Sequence, residues 1–255
     1  MRPIGATRVM ARLAASLIAL LLLAAVPAMS AERALLNIIG YDAGGRYFAF
    51  EEYGIGDGSG AAYSHIYVVD LAADKWVYGS PFSVDAVEDA DPEAKPLAQV
   101  RAEALAKAQE KLKPLKIGTP AQILALNGDG ERGDVKQMRF WTPNCCQPDS
   151  TEDTAFTLKL TTLPAKGADD CQDSYAEGQS VVGFTLTFDD GSGEALLHRD
   201  GDTLPKSRGC TLDYGLYAVA AQMDSGGSRV AIVESWPFGF EGPDRRFIAV
   251  PIDSP

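Results

Sequence analysis

Residues 42–51 read Asp42-Ala43-Gly44-Gly45-Arg46-Tyr47-Phe48-Ala49-Phe50-Glu51, and residues 224–234 read Asp224-Ser225-Gly226-Gly227-Ser228-Arg229-Val230-Ala231-Ile232-Val233-Glu234. Each stretch is a D-x-G-G turn, an arginine, a run of β-formers and a glutamate. Glycine supplies the left-handed backbone of a tight turn. Val, Ile, Phe and Tyr suit a pleated, half-buried surface. Both units then continue alike. A Gly-rich aromatic loop follows, residues 52–64 in one and 235–244 in the other, and then a second strand, HIYVVDL from His65 and RFIAVPI from Arg246. The second strand starts 23 residues after the Asp in the first copy and 22 after it in the second. A strand–loop–strand unit at both ends predicts a mainly β chain.

The segments between agree. Leu35 to Gly40 precedes the first turn and makes a hairpin with Arg46 to Glu51. A strand starts at Trp76 to Tyr78, after the Ala72–Lys75 turn. Further short strands are expected at Gln122–Leu126, Lys136–Trp141, Ala155–Leu160, Val181–Phe188, Glu194–His198, Leu216–Gln222, Arg229–Glu234 and Arg246–Ile252, many of them separated by Gly- or Asp-rich turns. One helix interrupts them, at about 97–112. Its apolar residues Leu97, Val100, Ala104, Leu105, Ala108 and Leu112 recur every three or four positions, and Pro114 ends it. One apolar stripe predicts packing on the side of a sheet.

Residues 1–30 have the order of a secretory signal peptide. Arg2, Arg8 and Arg12 come first, Leu13 to Val26 carry no charge, and Pro27-Ala28-Met29-Ser30 ends in small residues. The uncharged run falls short of the roughly 20 residues a spanning helix needs. The expected organisation is therefore a signal peptide over 1–30 and a single β-rich secreted domain over 31–255, periplasmic or extracellular. The leader holds three of the 23 basic residues and none of the 35 acidic ones, which leaves the mature charge near −15. Such a field repels phosphate backbones and anionic lipid, so neither nucleic acid nor a membrane surface is expected as a partner.

Four cysteines, Cys145, Cys146, Cys171 and Cys210, meet an oxidising compartment after export, so disulfides are expected. Neighbouring cysteines pair only through a strained ring. The expected pairing therefore joins Cys145 and Cys146 to Cys171 and Cys210, in unassigned order. No CxxC exists, and His65 and His198 lie far from the cysteines in sequence, so no metal and no cofactor is expected.

The two-ended repeat resembles the blade of TolB-like, WD40-like β-propellers, in which a D-G turn leads into a strand, a loop and an IYVVDL-type strand. The resemblance implies an irregular β-propeller-like fold. A β-sandwich with similar hairpins at each end is the alternative. The mature chain as a whole also resembles an uncharacterised family of predicted secreted proteins from proteobacteria. The stretches that carry this are GGRYFAFEEYGIGDGSG (44–60), PKSRGC (205–210) and GFEGPDRRFIAV (239–250). That resemblance implies export and assigns no activity.

Catalytic motifs dissolve on inspection. Asp224-Ser225-Gly226-Gly227 is similar to a serine-protease nucleophile motif, but its repeat partner lacks the serine and neither histidine has the protease context. Asn127-Gly128-Asp129-Gly130-Glu131 with Asp134 offers oxygen ligands without the register of a calcium loop. Both read as turns, and the basic Pro205–Cys210 segment reads as a disulfide-anchored loop. Two loops remain as candidate sites. Glu51, Glu52, Tyr53, Asp57 and Tyr63 crowd the first. Glu234, Trp236, Phe238, Phe240, Glu241, Asp244, Arg245 and Arg246 crowd the second. If the repeat holds, these loops are neighbours. Aromatics beside carboxylates suit a sugar, a peptide or a cation. Two suitably spaced carboxylates would suit glycan hydrolysis. The plainer reading is that the aromatics cover the core and the Arg and Glu pair with each other. The expectation is a non-enzymatic module that binds a protein or small ligand, with a glycan hydrolase as the alternative.

Overall fold

Successive residues of a strand point to opposite faces, so alternation decides which layer each side chain meets. The computed structural model describes residues 31–89, 91, 95–129, 135–141, 155–167, 171, 180–223, 227–239 and 241–252. Expectations on residues 1–30, on Cys145 and Cys146, on Phe240, on the turn at 224–226 and on residues 130–134 lie outside these.

The first sheet contains β1 (Leu35–Tyr41), β2 (Tyr47–Ile55), β3 (Ala62–Asp70), β4 (Lys75–Trp76) and β5 (Phe82–Asp85). Its order is β1-β2-β3-β4, with β5 also on β3. Helix α1 (Leu97–Leu112) and β6 (Ala121–Leu126) follow. The strands β7 (Gln137–Phe140), β8 (Phe156–Pro164), β9 (Val182–Asp189) and β10 (Glu194–Arg199) make a second sheet in the order β10-β9-β8-β7. Finally β11 (Thr211–Gln222), β12 (Arg229–Pro237) and β13 (Arg246–Pro251) join β6 in a third, ordered β13-β12-β11-β6. All of these strand pairs are antiparallel.

The third sheet is the middle layer. Val230, Ile232, Phe247 and Ala249 meet Phe48, Phe50 and Val69 of the first sheet. The alternate residues Ala231, Val233 and Val250, with Tyr214 and Leu216, meet Leu158, Leu160, Phe184 and Leu186 of the second. A strand buried on both faces reads as a continuous apolar run, as residues 230–233 do. The first sheet is covered on its other face by α1, through Val100, Ala104, Ala108 and Leu112 against Ala49, Ile66 and Val68. Leu105 departs from the expected stripe and is exposed. The stack thus runs helix, first sheet, third sheet, second sheet. Among the described residues it is mainly β with one α-helix and no closed barrel, and the β-sandwich-like alternative describes it. The two copies of the repeat stand in adjacent layers of this stack.

The D-x-G-G turn of the first copy is built as expected. The Asp42 carboxylate accepts from the amides of Gly44 and Tyr47 at 3.0 and 2.6 Å, and Gly45 takes φ +70°.

One expectation on the cysteines is overturned. Cys171 bonds to Cys210, with Cα atoms 5.5 Å apart, not to either of the adjacent pair. The cause is local. Lys166 donates to Asp202 and accepts from Leu204, both at 2.8 Å, which lays the segment before Cys171 along the one leading to Cys210. Arg208, between them, turns inward onto Asp200 and His198 at 3.2 Å.

Candidate functional site

The two candidate loops are shorter than expected, and most of their residues belong to strands. β2 runs through Glu51, Glu52 and Tyr53 to Ile55, and β3 already starts at Ala62, so only residues 56–61 turn the chain. Glu234 and Trp236 lie in β12, and Arg246 opens β13. Asp57 sits in the 56–61 turn, where it accepts from Gly58. Glu241 is exposed in the second connection.

Alternation sends Glu51 and Glu52 to opposite faces of β2. Glu51 faces α1. Arg101 clamps it through two bonds of 2.8 and 2.7 Å, Ser64 and Asn37 donate as well, and the same guanidinium lies 3.7 Å over the Tyr53 ring. Burial pushes the Glu51 carboxyl up, but these donors outweigh it and hold it below the usual carboxylate range. Glu52 faces the third sheet and is 0 % exposed. It accepts from the Phe247 amide at 2.8 Å and stands 3.5 Å from Arg246 Nε.

The two hairpins are therefore neighbours. Around Glu52 and Arg246 the fold gathers Tyr63, whose hydroxyl accepts from Arg246 at 3.4 Å, and Glu32, ion-paired with Arg246. It also gathers His65, whose Nε2 lies 2.9 Å from Asp85 and whose Nδ1 lies 3.8 Å from Glu52. Burial opposes the imidazolium. The hydrogen bond to Asp85 and the charge of Glu52 outweigh it, raising the pKa to about 9. The hydrogen bond from His65 holds Asp85 below its ordinary range. A histidine held as a cation between two carboxylates is a poor general base at neutral pH.

This pairing has a testable pH signature. A histidine pKa raised on folding contributes stability that is complete below its unfolded value near 6.5 and is lost as pH rises through the folded value near 9. The lowered Asp85 contributes above its ordinary 3.8 and fails as pH falls through its folded value. The thermal midpoint of the wild type is expected to exceed that of His65→Gln by a few degrees at pH 6. The gap should close by about pH 9.5. A gap independent of pH would contradict the pairing.

Trp236 and Arg245 lie on a different feature. A groove of about 830 Å³ is lined by Trp236, Leu35, Leu212, Arg33, Arg245 and Asp129, among others. Its walls come from the starts of β1 and β11, the end of β12 and the connection before β13. The Arg33 guanidinium lies 4.6 Å over the Trp236 ring. Arg245 is buried, donates twice to the Ala34 carbonyl and pairs with Asp129. Asp244 accepts from the Glu32 amide at 3.1 Å, and burial raises its pKa. Glu234 is buried elsewhere, beside Gly215, where an added Cβ would come within 2.7 Å of its carboxylate.

Sequence reasoning named Glu52, Tyr63 and Arg246 but missed Glu32, His65 and Asp85. The sequence places His65 at the start of a strand and gives Asp85 no role of its own. The signal for Asp85 is the alternation in Phe82-Ser83-Val84-Asp85, which pairs with β3 so that Tyr63 faces Asp85. Among the described residues no group of three His, Cys, Asp or Glu is placed to hold a metal ion. No helix there is long and apolar enough to cross a membrane.

No curated protein and no solved structure matches the chain. A family model described as "Predicted secreted protein (DUF2259)" matches residues 49–253, from within β2 to just past β13 and including the helix and the disulfide, and the chain belongs to that family.

Proposed function

We propose that this exported protein is a non-enzymatic binding module that seats a small ligand in the groove beside Trp236. The observation that carries the reading is the groove itself. Its volume of about 830 Å³ falls in the range of small-molecule sites, roughly 300–1,000 Å³. Its lining has the composition of such sites, an apolar and aromatic wall with a few fixed polar groups. Arg245 is held from two sides, so the wall is ordered before a ligand arrives, which lowers the entropic cost of binding. Both charge signs line the groove, in Arg33 and Arg245 against Asp129 and Asp213. That balance suits a polar, uncharged ligand such as an oligosaccharide or the backbone of a peptide.

Support for binding over glycan hydrolysis comes from the carboxylates. Hydrolysis needs two of them across one cleft, about 5–10 Å apart. Glu51 and Glu52 point to opposite faces of β2, Glu51 is fully engaged by Arg101, and Glu234 is buried beside Gly215.

The test is a screen of oligosaccharide and short-peptide arrays with the purified exported protein, repeated with Trp236→Ala. An aromatic anchor at the centre of a binding surface contributes about 2 kcal/mol or more. The variant should therefore bind roughly 10–100-fold more weakly while melting normally. Equal binding by the wild type and the variant would remove the groove from consideration.

A further inference from the structure

We infer that His198 is a proton-operated latch between the first and second sheets, closed while its imidazole is a cation and released when it is neutral. His198 lies on β10, in the second sheet. Its Nδ1 nevertheless stands 3.3 Å from Oδ2 of Asp74, in the turn that joins β3 to β4 of the first sheet. The third sheet separates these two layers, so the contact reaches past it and straps the stack together.

The chemistry at Nε2 makes this strap conditional. That nitrogen lies 3.1 Å from Asp200 Oδ1 and 3.2 Å from Arg208 Nη2. A carboxylate only accepts and a guanidinium only donates, so Nε2 can satisfy one of them at a time. A cationic imidazole donates to both carboxylates, Nε2–H to Asp200 and Nδ1–H to Asp74. A neutral imidazole has a single N–H. Placed on Nε2, it leaves a lone pair facing Asp74. Placed on Nδ1, it leaves Nε2 to accept from Arg208, and the Asp74 bond continues without the imidazolium charge that strengthens it.

Exposure decides which end yields. The Asp200 side chain is 4 % exposed and is held by the Phe184 amide at 3.0 Å and by Arg208 at 3.2 Å. Arg208 is fixed in turn. The Cys171–Cys210 bond anchors its segment, and its guanidinium lies 5.4 Å over the Phe184 ring, on which His198 also stacks at 4.8 Å. The Asp74 side chain is 45 % exposed, so water replaces the imidazole there at little cost.

The charged groups that face the imidazole are Asp74, Asp200 and Arg208. Burial opposes the cation, and so does the charge of Arg208. The hydrogen bonds to Asp200 and Asp74 outweigh both and raise the pKa above its ordinary 6.5. The latch therefore contributes fully below pH 6.5 and is lost as pH rises through the folded value.

The experiment is a nuclear magnetic resonance titration of the exported protein from pH 5 to 9.5. It follows the His198 ring nitrogens, the Asp74 and Lys75 amides, and the Overhauser effect between the His198 ring and the Asp74 β-protons. The ring is expected to titrate with a midpoint above 6.5, and the two amides should shift with that same midpoint. The Overhauser effect should fall roughly threefold or more as the ring loses its proton. Asp74→Asn suits the left-handed backbone at this position, φ +47°, and is expected to lower the midpoint. Arg208→Gln removes the opposing cation and is expected to raise it. His198→Gln should abolish the response of the turn amides. A ring midpoint at or below 6.5, turn amides that do not follow the ring, or an undiminished Overhauser effect in the neutral protein would each overturn the proposal.

Discussion

Replacing Gly40 with alanine is expected to lower the thermal midpoint by roughly 4–20 °C, from a loss of about 2–5 kcal/mol. Two costs combine. Gly40 has φ +135°, a backbone that side chains other than glycine rarely take. A Cβ placed there would lie 2.4 Å from the carbonyl oxygen of Thr119, which is backbone and cannot rotate away. That carbonyl is already committed, accepting from Tyr41 N at 2.9 Å. Tyr41 is fully buried, and its hydroxyl donates to Ala220 O at 3.1 Å. The clash therefore falls on the joint where β1 meets the segment that feeds β6 into the middle sheet. Gly58→Ala provides the control. Gly58 has φ +71° with open space around it, so it bears only the backbone term, about 1–2 kcal/mol. Circular-dichroism melts of the two variants would separate strain from overlap. An equal loss in both would show that the close approach at Thr119 contributes nothing.

The sequence announces the strands but not how far they extend or how they stack. Period-two patterning and β-branched runs located most strands within a few residues. What failed is instructive. Glu51 closes the expected strand, and Glu52 and Tyr53 read as loop because two adjacent carboxylates look solvated. In the fold each is neutralised by a cation from a distant segment, Arg101 on one face and Arg246 on the other, and the strand continues through them. Local composition carries no record of partners 50 and 194 residues away. β5 was missed for the same reason. Four residues ending in an acid are too short to stand out, and Asp85 becomes a strand residue only opposite Tyr63, with His65 as its partner. The placement of β6 was equally illegible. Its apolar residues suit any sheet edge, and it joins β11, which follows it by more than 80 residues, through the register Ala218 to Leu126.

The candidate site divides along the same line. That the two hairpins meet follows from the repeat, because equivalent units with apolar faces pack against each other. Which residues meet depends on the alternation of β2 and the exact end of each strand, both of which the loop assignment obscured. Trp236 and Arg246, ten residues apart in one supposed loop, consequently serve different places, the groove and the cluster around Glu52.

Arg246→Met is expected to destabilise the protein by about 3–5 kcal/mol, the cost of leaving a buried carboxylate without its cation, or roughly 6–20 °C in thermal midpoint. Glu52 bears the effect. It is 0 % exposed, and the remaining cation near it, His65, stands 3.8 Å away and is already bound to Asp85 at 2.9 Å. Methionine keeps most of the volume and the apolar stem of arginine, so packing changes little. Glu52→Gln makes the complementary change. Glutamine still accepts from the Phe247 amide, and the single variant should lose less than Arg246→Met, because an arginine 30 % exposed along its side chain can recover part of its solvation. The decisive measurement is the double variant. If the charge pair is the interaction that matters, removing both charges is cheaper than removing the arginine alone, and Glu52→Gln/Arg246→Met should melt above Arg246→Met by several degrees. Additive losses would mean that Arg246 acts instead through Glu32 and Tyr63, its other partners. The hairpins would then be held together by contacts at their rim and not by the buried carboxylate between them.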